Sequence, residues 1–298
     1  MAEVIVFGSL AIDHIFILDE LPEWDEVKIV KQYYIEAGGS AANVAYALAR
    51  LGVKVSFMGK AGGDKWATRC LESLRNAGVD VSRVVVDERL GTVEAYVLVV
   101  NGRKMILLPF VDKLALSLKS PSEVDYSVVD KSRIVYIGEV FVEVAESIAR
   151  YSKSRGKCVV YRIITPYARL GIEKLRKILQ YIDILLLNSR SWKILNTSGV
   201  TLDDLLGMGI EYVIVTRGKM GVKINDKLLN PPPFKEKILD TTGCGDAFAA
   251  GLIKKLLEGK EMEKAVYFGM LLASYVASEP GARRGIDKFV KCALNRIS

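Results

Sequence analysis

The chain has 298 residues, half of them hydrophobic, with 42 Lys and Arg against 35 Asp and Glu and a net charge of +7. That length can bury a large α/β core, no apolar run reaches a membrane span, and residues 1–8 lack the basic region and cleavage site of a signal peptide, so a cytoplasmic protein is expected. A single histidine, His14, and four scattered cysteines (Cys70, Cys158, Cys244 and Cys292) leave little material for a His-based zinc site, a Ser-His-Asp triad or a disulfide scaffold.

Residues 4–7 form a short apolar run closed by Gly8-Ser9, the pattern of a buried parallel strand ending in a loop. Asp13 follows, then Leu21-Pro22. Residues 27–36 alternate loosely, and runs at 92–100 and 104–110 flank Asn101-Gly102, a strong hairpin signal. No helices alternate with these segments. Strands over about 13–19, 27–37 and 92–110 are therefore assigned to a small separate sheet. Between the first two and the hairpin, Gly38-Gly39 turns into a helix that Ser40 can cap, with Val44, Ala45, Leu48 and Leu51 on its apolar face and Gly52 as its stop.

Apolar runs at 84–86, 134–137, 158–163, 184–187 and 212–216 alternate with helical stretches at 64–76, 142–154 and 172–181. This alternation predicts a central, mostly parallel sheet with helices on both faces, whose ligands sit beyond the carboxyl ends of the strands. Gly38-Gly39, Glu139, Arg162, Asn188 and Thr216 all fall near those ends. Arg162 either grips a carboxylate or phosphate of a substrate with its planar fork or lies at the surface. The net positive charge suits a nucleotide, and equally a solvated Lys/Arg surface. No basic run with interleaved aromatics points to nucleic acid.

Near the C-terminus, Gly243 and Gly245 precede a mostly apolar helix. Neither carries a Cβ to obstruct a ligand, and the free N–H groups and dipole at a helix start attract an anion. Asp246 either offsets the dipole or serves as the base of a phosphoryl transfer. No Walker-type loop and no Gly-x-Gly-x-x-Gly is present.

The string Asp240-Thr241-Thr242-Gly243-Cys244-Gly245-Asp246-Ala247-Phe248 resembles the C-terminal signature of the ribokinase-like (PfkB) carbohydrate kinases. Residues 37–52 resemble the N-terminal signature of the same family, and Gly8, Asp13, Leu21-Pro22 and the loop 59–64 follow its order, so the likeness spans almost the whole chain. It implies one ribokinase-like domain over 1–298, with the small sheet inserted as a lid over the sugar and often as a dimer contact. It also implies an ATP- and magnesium-dependent transfer to a primary hydroxyl of a sugar.

By the same resemblance Asp246 is the general base and the backbone of Gly243, Cys244 and Gly245 the anion hole. Asp13, Gly39 and Asn43 hold the sugar, and Glu139 falls where some members place a Glu near it. Asn188 and the loop with Thr216, Gly218 and Gly221 lie on the nucleotide side. Asp240 and Thr242 match the neighbours of a monovalent cation such as K+, and 282–285 falls near the adenine end. Two departures stand out. Cys244 replaces a usual Ala, small for small, and Ser191 replaces a Glu that helps organise magnesium. Either the ion is held through water and phosphate, or that loop is out of register. The acceptor is left open between a sugar, a nucleoside and a 2-keto-3-deoxygluconate-type sugar acid, with a catalytically silent sugar-binding regulator as the other class.

Overall fold

Val4–Phe7 is apolar at every position and fully buried, as a strand covered on both faces must be. It lies between Ile134–Ile137 and Val55–Met58, parallel to both. The computed structural model, which describes residues 2–109 and 111–294, extends this sheet to eight strands in the order Lys227–Leu229, Val222–Ile224, Tyr212–Thr216, Ile184–Asn188, Cys158–Ile163, Ile134–Ile137, Val4–Phe7 and Val55–Met58. The last six run parallel, and the first two add an antiparallel edge. The expected central sheet is present, and so are its helices.

Successive strand residues point to opposite faces, which splits the core in two. Val4, Val6, Tyr136, Val160 and Ile214 pack beneath the helices Ser40–Arg50, Cys244–Leu257 and Met262–Ala277. Ile5, Phe7, Ile137, Tyr161 and Val213 pack beneath Val142–Ser154, Ile172–Leu179 and Leu202–Gly207. Each such Val, Ile or Leu side chain contributes about 1.5–3 kcal/mol by leaving water. The two cores fix the sheet, and the sheet presents its carboxyl ends on one side.

The lid is a separate four-stranded sheet in the order Gln32–Gly38, Ala11–Leu18, Val93–Val100 and Arg103–Leu107. Asn101 and Gly102 both have positive φ in its hairpin turn, as a tight two-residue connection requires. Three expectations are corrected. The strand expected from 27 begins only at Gln32, which pairs with Ile17 near the end of the neighbouring strand; before it Lys31 N–H still donates to Ile17 O at 2.9 Å, and Val27 and Ile29 are exposed. The run at 84–86 does not join the central sheet. It forms Val85–Asp87, paired with Lys60–Gly62 in a two-stranded sheet of its own. The strand expected over 104–110 ends at Leu107, and Phe110 lies outside the described residues.

Candidate active site

Beyond the carboxyl ends of the central strands, and under the lid, lies a cavity of about 900 Å³. It brings together Asp13, Gly39, Asn43, Glu139, Arg162, Asn188, Thr216, Thr242, Gly243, Gly245 and Asp246. These residues were expected at the site, and they come from segments more than two hundred positions apart. Gly218 and Gly221 are outside the cavity wall, in the turn that follows Tyr212–Thr216. A Cβ at Gly221 would sit 2.0 Å from the Leu229 carbonyl, so this glycine is required by the crossing of two strands.

The helix Cys244–Leu257 starts at Gly243, whose φ of 77° is left-handed, a conformation that costs other residues about 1–2 kcal/mol. Cys244 N–H makes a long bond of 3.4 Å to Thr241 O, whereas Gly243 and Gly245 N–H donate to no acceptor among the described residues. Two free donors and a helix dipole at the cavity wall suit a phosphoryl group. The Cys244 thiol is pushed up to about 12 by burial, so it brings no thiolate to the cradle.

Asp246 is buried and holds a set of donors that closes the chain on itself. Its Oδ1 accepts from Ser40 Oγ at 2.9 Å and from Arg162 Nη1, and its Oδ2 accepts from Asn43 Nδ2 at 3.0 Å. Ser40 therefore does not cap its helix, whose N-cap is Gly39 without a side-chain bond; its hydroxyl goes to the carboxylate. Arg162 is neither a surface residue nor free for a substrate. It ion-pairs with Asp246 and donates to Ser40 Oγ at 2.8 Å. Burial works against the guanidinium charge, but the Asp246 carboxylate outweighs it and holds its pKa above the ordinary value. A Cβ at Gly245 would sit 2.4 Å from Arg162 Nη2, so the same fork also abuts the anion cradle.

Asp13 lies on the lid strand Ala11–Leu18, packed so closely that a Cβ on Gly38 would be 2.2 Å from its Oδ2. Among the described residues nothing donates a hydrogen bond to it. Burial raises its pKa to about 6, opposed by the charges of Arg283 and Lys104. Glu139 accepts from Ser9 Oγ at 2.9 Å through Oε2, while its buried Oε1 has no partner. Asp13 thus brings unused acceptors to the cavity wall, the complement of a polyhydroxylated ligand, whereas Glu139 Oε1 is covered.

Asn188 caps the helix Ser189–Thr197 by accepting from Ser191 N–H at 2.7 Å. The Ser191 hydroxyl is buried with no partner, so it does not face the cavity as a glutamate ligand would. Asp240 is not in the wall of this cavity. Its Oδ1 accepts from Thr242 N–H at 2.8 Å and Thr242 Oγ1 at 2.7 Å, and its Oδ2 from Gly281 N–H at 2.9 Å. These bonds tie the segment before the anion cradle to the loop after Met262–Ala277. The sequence reading missed Lys104, which lines the cavity from the lid, and it set Arg283, within 282–285, near the adenine end, whereas this side chain is buried behind Asn43 and donates to its Oδ1 at 3.0 Å. A lysine two positions past a hairpin glycine was the only local sign of the former.

A mostly parallel eight-stranded sheet with helices on both faces and a separate small sheet over the carboxyl ends of its strands is the ribokinase fold. The crystal structure of the Methanocaldococcus jannaschii nucleoside kinase, an archaeal member of the ribokinase family, superposes with a TM-score of 0.81 at 22% identity over 99% of each chain. The profile of the pfkB family carbohydrate kinases matches residues 1–288, and the chain belongs to that family. Among its relatives, the ATP-dependent ribose-1-phosphate kinase of Halopiger xanaduensis is 29% identical over 95% of this chain and 94% of its own. The ribokinase of Bacillus subtilis is 27% identical over 96% of each. The protein is an ATP-dependent carbohydrate kinase.

Proposed function

We propose that the chain works as one kinase domain that transfers the γ-phosphoryl group of ATP to a primary hydroxyl of a sugar. Asp246 takes the proton from that hydroxyl, and the N–H groups at 243–245 meet the charge that develops on the moving phosphoryl. The observation that carries this reading is the meeting of the two distant glycine segments on one carboxylate: Ser40 and Asn43 both donate to Asp246 across 206 and 203 positions. Asp13, Gly39, Asn43 and Glu139 hold the sugar, and Asn188, Thr216 and the turn with Gly218 and Gly221 border the nucleotide. Arg162 stays on Asp246 and, with Ser40, holds the carboxylate in place.

Magnesium fits as an ion carried in with ATP. Among the described residues no cluster of three or more His, Cys, Asp or Glu forms a resident cage, and this ion readily keeps water and phosphate as ligands. A potassium ion at Asp240 and Thr242 would compete with three donors already on that carboxylate. The outer face of the lid, with Phe16, Leu18, Tyr96, Leu98 and Leu107 around an apolar groove, suits a second copy of the chain and hence a homodimer. Among the described residues no helix is long and apolar enough to cross a membrane, which accords with a cytoplasmic enzyme.

A nucleoside is the second reading, favoured by the apolar wall that Val93, Ala95, Val97, Ile106, Leu108 and Phe141 give the cavity, a surface for a base. A sugar acid would require Arg162 to leave Asp246. Coupled ATP-turnover assays over ribose, fructose, ribose 1-phosphate, adenosine and a 2-keto-3-deoxy sugar acid decide among these. Asp246→Asn should lose about 10²–10⁴-fold in kcat on whichever is turned over; equal turnover by both proteins removes the assigned base.

A further inference from the structure

Arg283 is only 6% exposed, and burial pulls its pKa below the ordinary value, so it needs partners to stay where it is. It has a full set. Its Nε donates to Asn43 Oδ1 at 3.0 Å, Nη1 to Ser73 Oγ at 2.8 Å and Nη2 to Gly38 O at 3.3 Å, and the guanidinium lies 4.9 Å from the centre of the Tyr46 ring. None of these groups reacts. Asn43, however, donates from Nδ2 to Asp246 Oδ2 at 3.0 Å.

A guanidinium can only donate and an ionised carboxylate can only accept. A carboxamide standing between the two has one satisfactory orientation, Oδ1 toward the arginine and Nδ2 toward the carboxylate. Take away the arginine, and the amide is free to turn over and set Oδ1 against Asp246, acceptor against acceptor. We infer that Arg283 is a positioning residue for the transfer step: it fixes the Asn43 amide in the orientation that holds Asp246 Oδ2. The inference rests on the reading of Asp246 as the base. Ser73 and Gly38 O serve to aim the fork, since a lysine could satisfy one of the three acceptors but not hold the plane.

The test is a double-mutant cycle read in kcat, with the best acceptor of the turnover panel, alongside the melting temperature of each variant. Arg283→Met keeps an apolar stem over Tyr46 and removes the donors. It should lower kcat about tenfold, the equivalent of one hydrogen bond, with the KM for ATP within twofold of the parent. In an Asn43→Ala background the same change should cost nothing further, because the amide through which it acts is gone. Ser73→Ala, which loosens only one anchor, keeps the question decidable if Arg283→Met does not fold: it should lower kcat about twofold or more, and not at all beside Asn43→Ala. Losses that multiply in the double variant, or an unchanged kcat in either single variant, overturn the inference. Asp246→Asn belongs in the same series. Full activity there removes the base assignment itself, whereas an inactive Asp246→Asn beside a fully active Arg283→Met removes only the role given to Arg283.

Discussion

The buried carboxylate of Asp13 should cost the unliganded enzyme stability that it recovers as function. Its carboxyl titrates at about 6 in the fold against an ordinary 3.8, chiefly because burial disfavours the charge. Between those two pH values the native state holds a proton that the unfolded chain has lost, so stability falls as pH rises from about 4 to about 6 and is level beyond. The difference amounts to about 3 kcal/mol at neutral pH. Asp13→Asn removes the charge while keeping the shape. It should raise the melting temperature by roughly 6 °C at pH 7.5, taking about 2 °C per kcal/mol for a chain of this size, and by almost nothing at pH 4. The same change should raise the acceptor KM by about tenfold to a hundredfold, since hydrogen bonds to a charged acceptor are worth about 1.5–3 kcal/mol. In the parent enzyme, kcat/KM for the acceptor should rise with pH up to about 6 as this carboxylate ionises. Differential scanning calorimetry and initial rates on the two proteins suffice. A variant that melts no higher than the parent at pH 7.5, or gains as much at pH 4, would refute the account of Asp13 as a charge held at a cost for the substrate.

Arg162→Met leaves Asp246 buried without its ion-pair partner and should destabilise the fold by about 3 kcal/mol or more, with Arg162→Lys losing less; urea unfolding midpoints equal to the parent's would contradict this. The two glycines of the cradle should separate fold from function. Gly243→Ala combines a φ of +77° with a Cβ placed 2.5 Å from the Ala282 Cβ and should destabilise by about 2 kcal/mol or more. Gly245→Ala crowds Arg162 at Nη2, whereas the pair with Asp246 runs through Nη1, so it should cost less stability than Gly243→Ala while kcat drops about tenfold or more as the fork tilts. The opposite ranking of the two in stability would be fatal to this geometry. Burial pushes the Cys70, Cys158 and Cys244 thiols each up to about 12, which leaves almost no thiolate at pH 8. A thiol-disulfide reagent should label at most one cysteine quickly in the native enzyme and all four after unfolding; rapid native labelling of Cys244 would show that the cradle is open to solvent.

By itself the sequence determined the elements whose pattern is local. The strands at 134–137, 158–163 and 212–216 and the helix Val142–Ser154 stand where their apolar runs and periodicity put them. The helix start at Gly243 was legible too, because its glycines and the apolar run after them stand within a few successive residues. Where pairing partners lie far off, the chain said less. Residues 27–30 alternate like a strand but join no ladder, and Val85–Asp87 is apolar enough for the central sheet yet pairs with Lys60–Gly62. Only the tertiary structure decided what surrounds Asp246. Arg162 reaches Asp246 across 84 positions, Ser40 across 206, and Arg283 reaches Asn43 across 240. Residue type sets what a side chain can donate or accept; which of those groups meet is set by the packing of two cores on opposite faces of one sheet, and no local pattern encodes it.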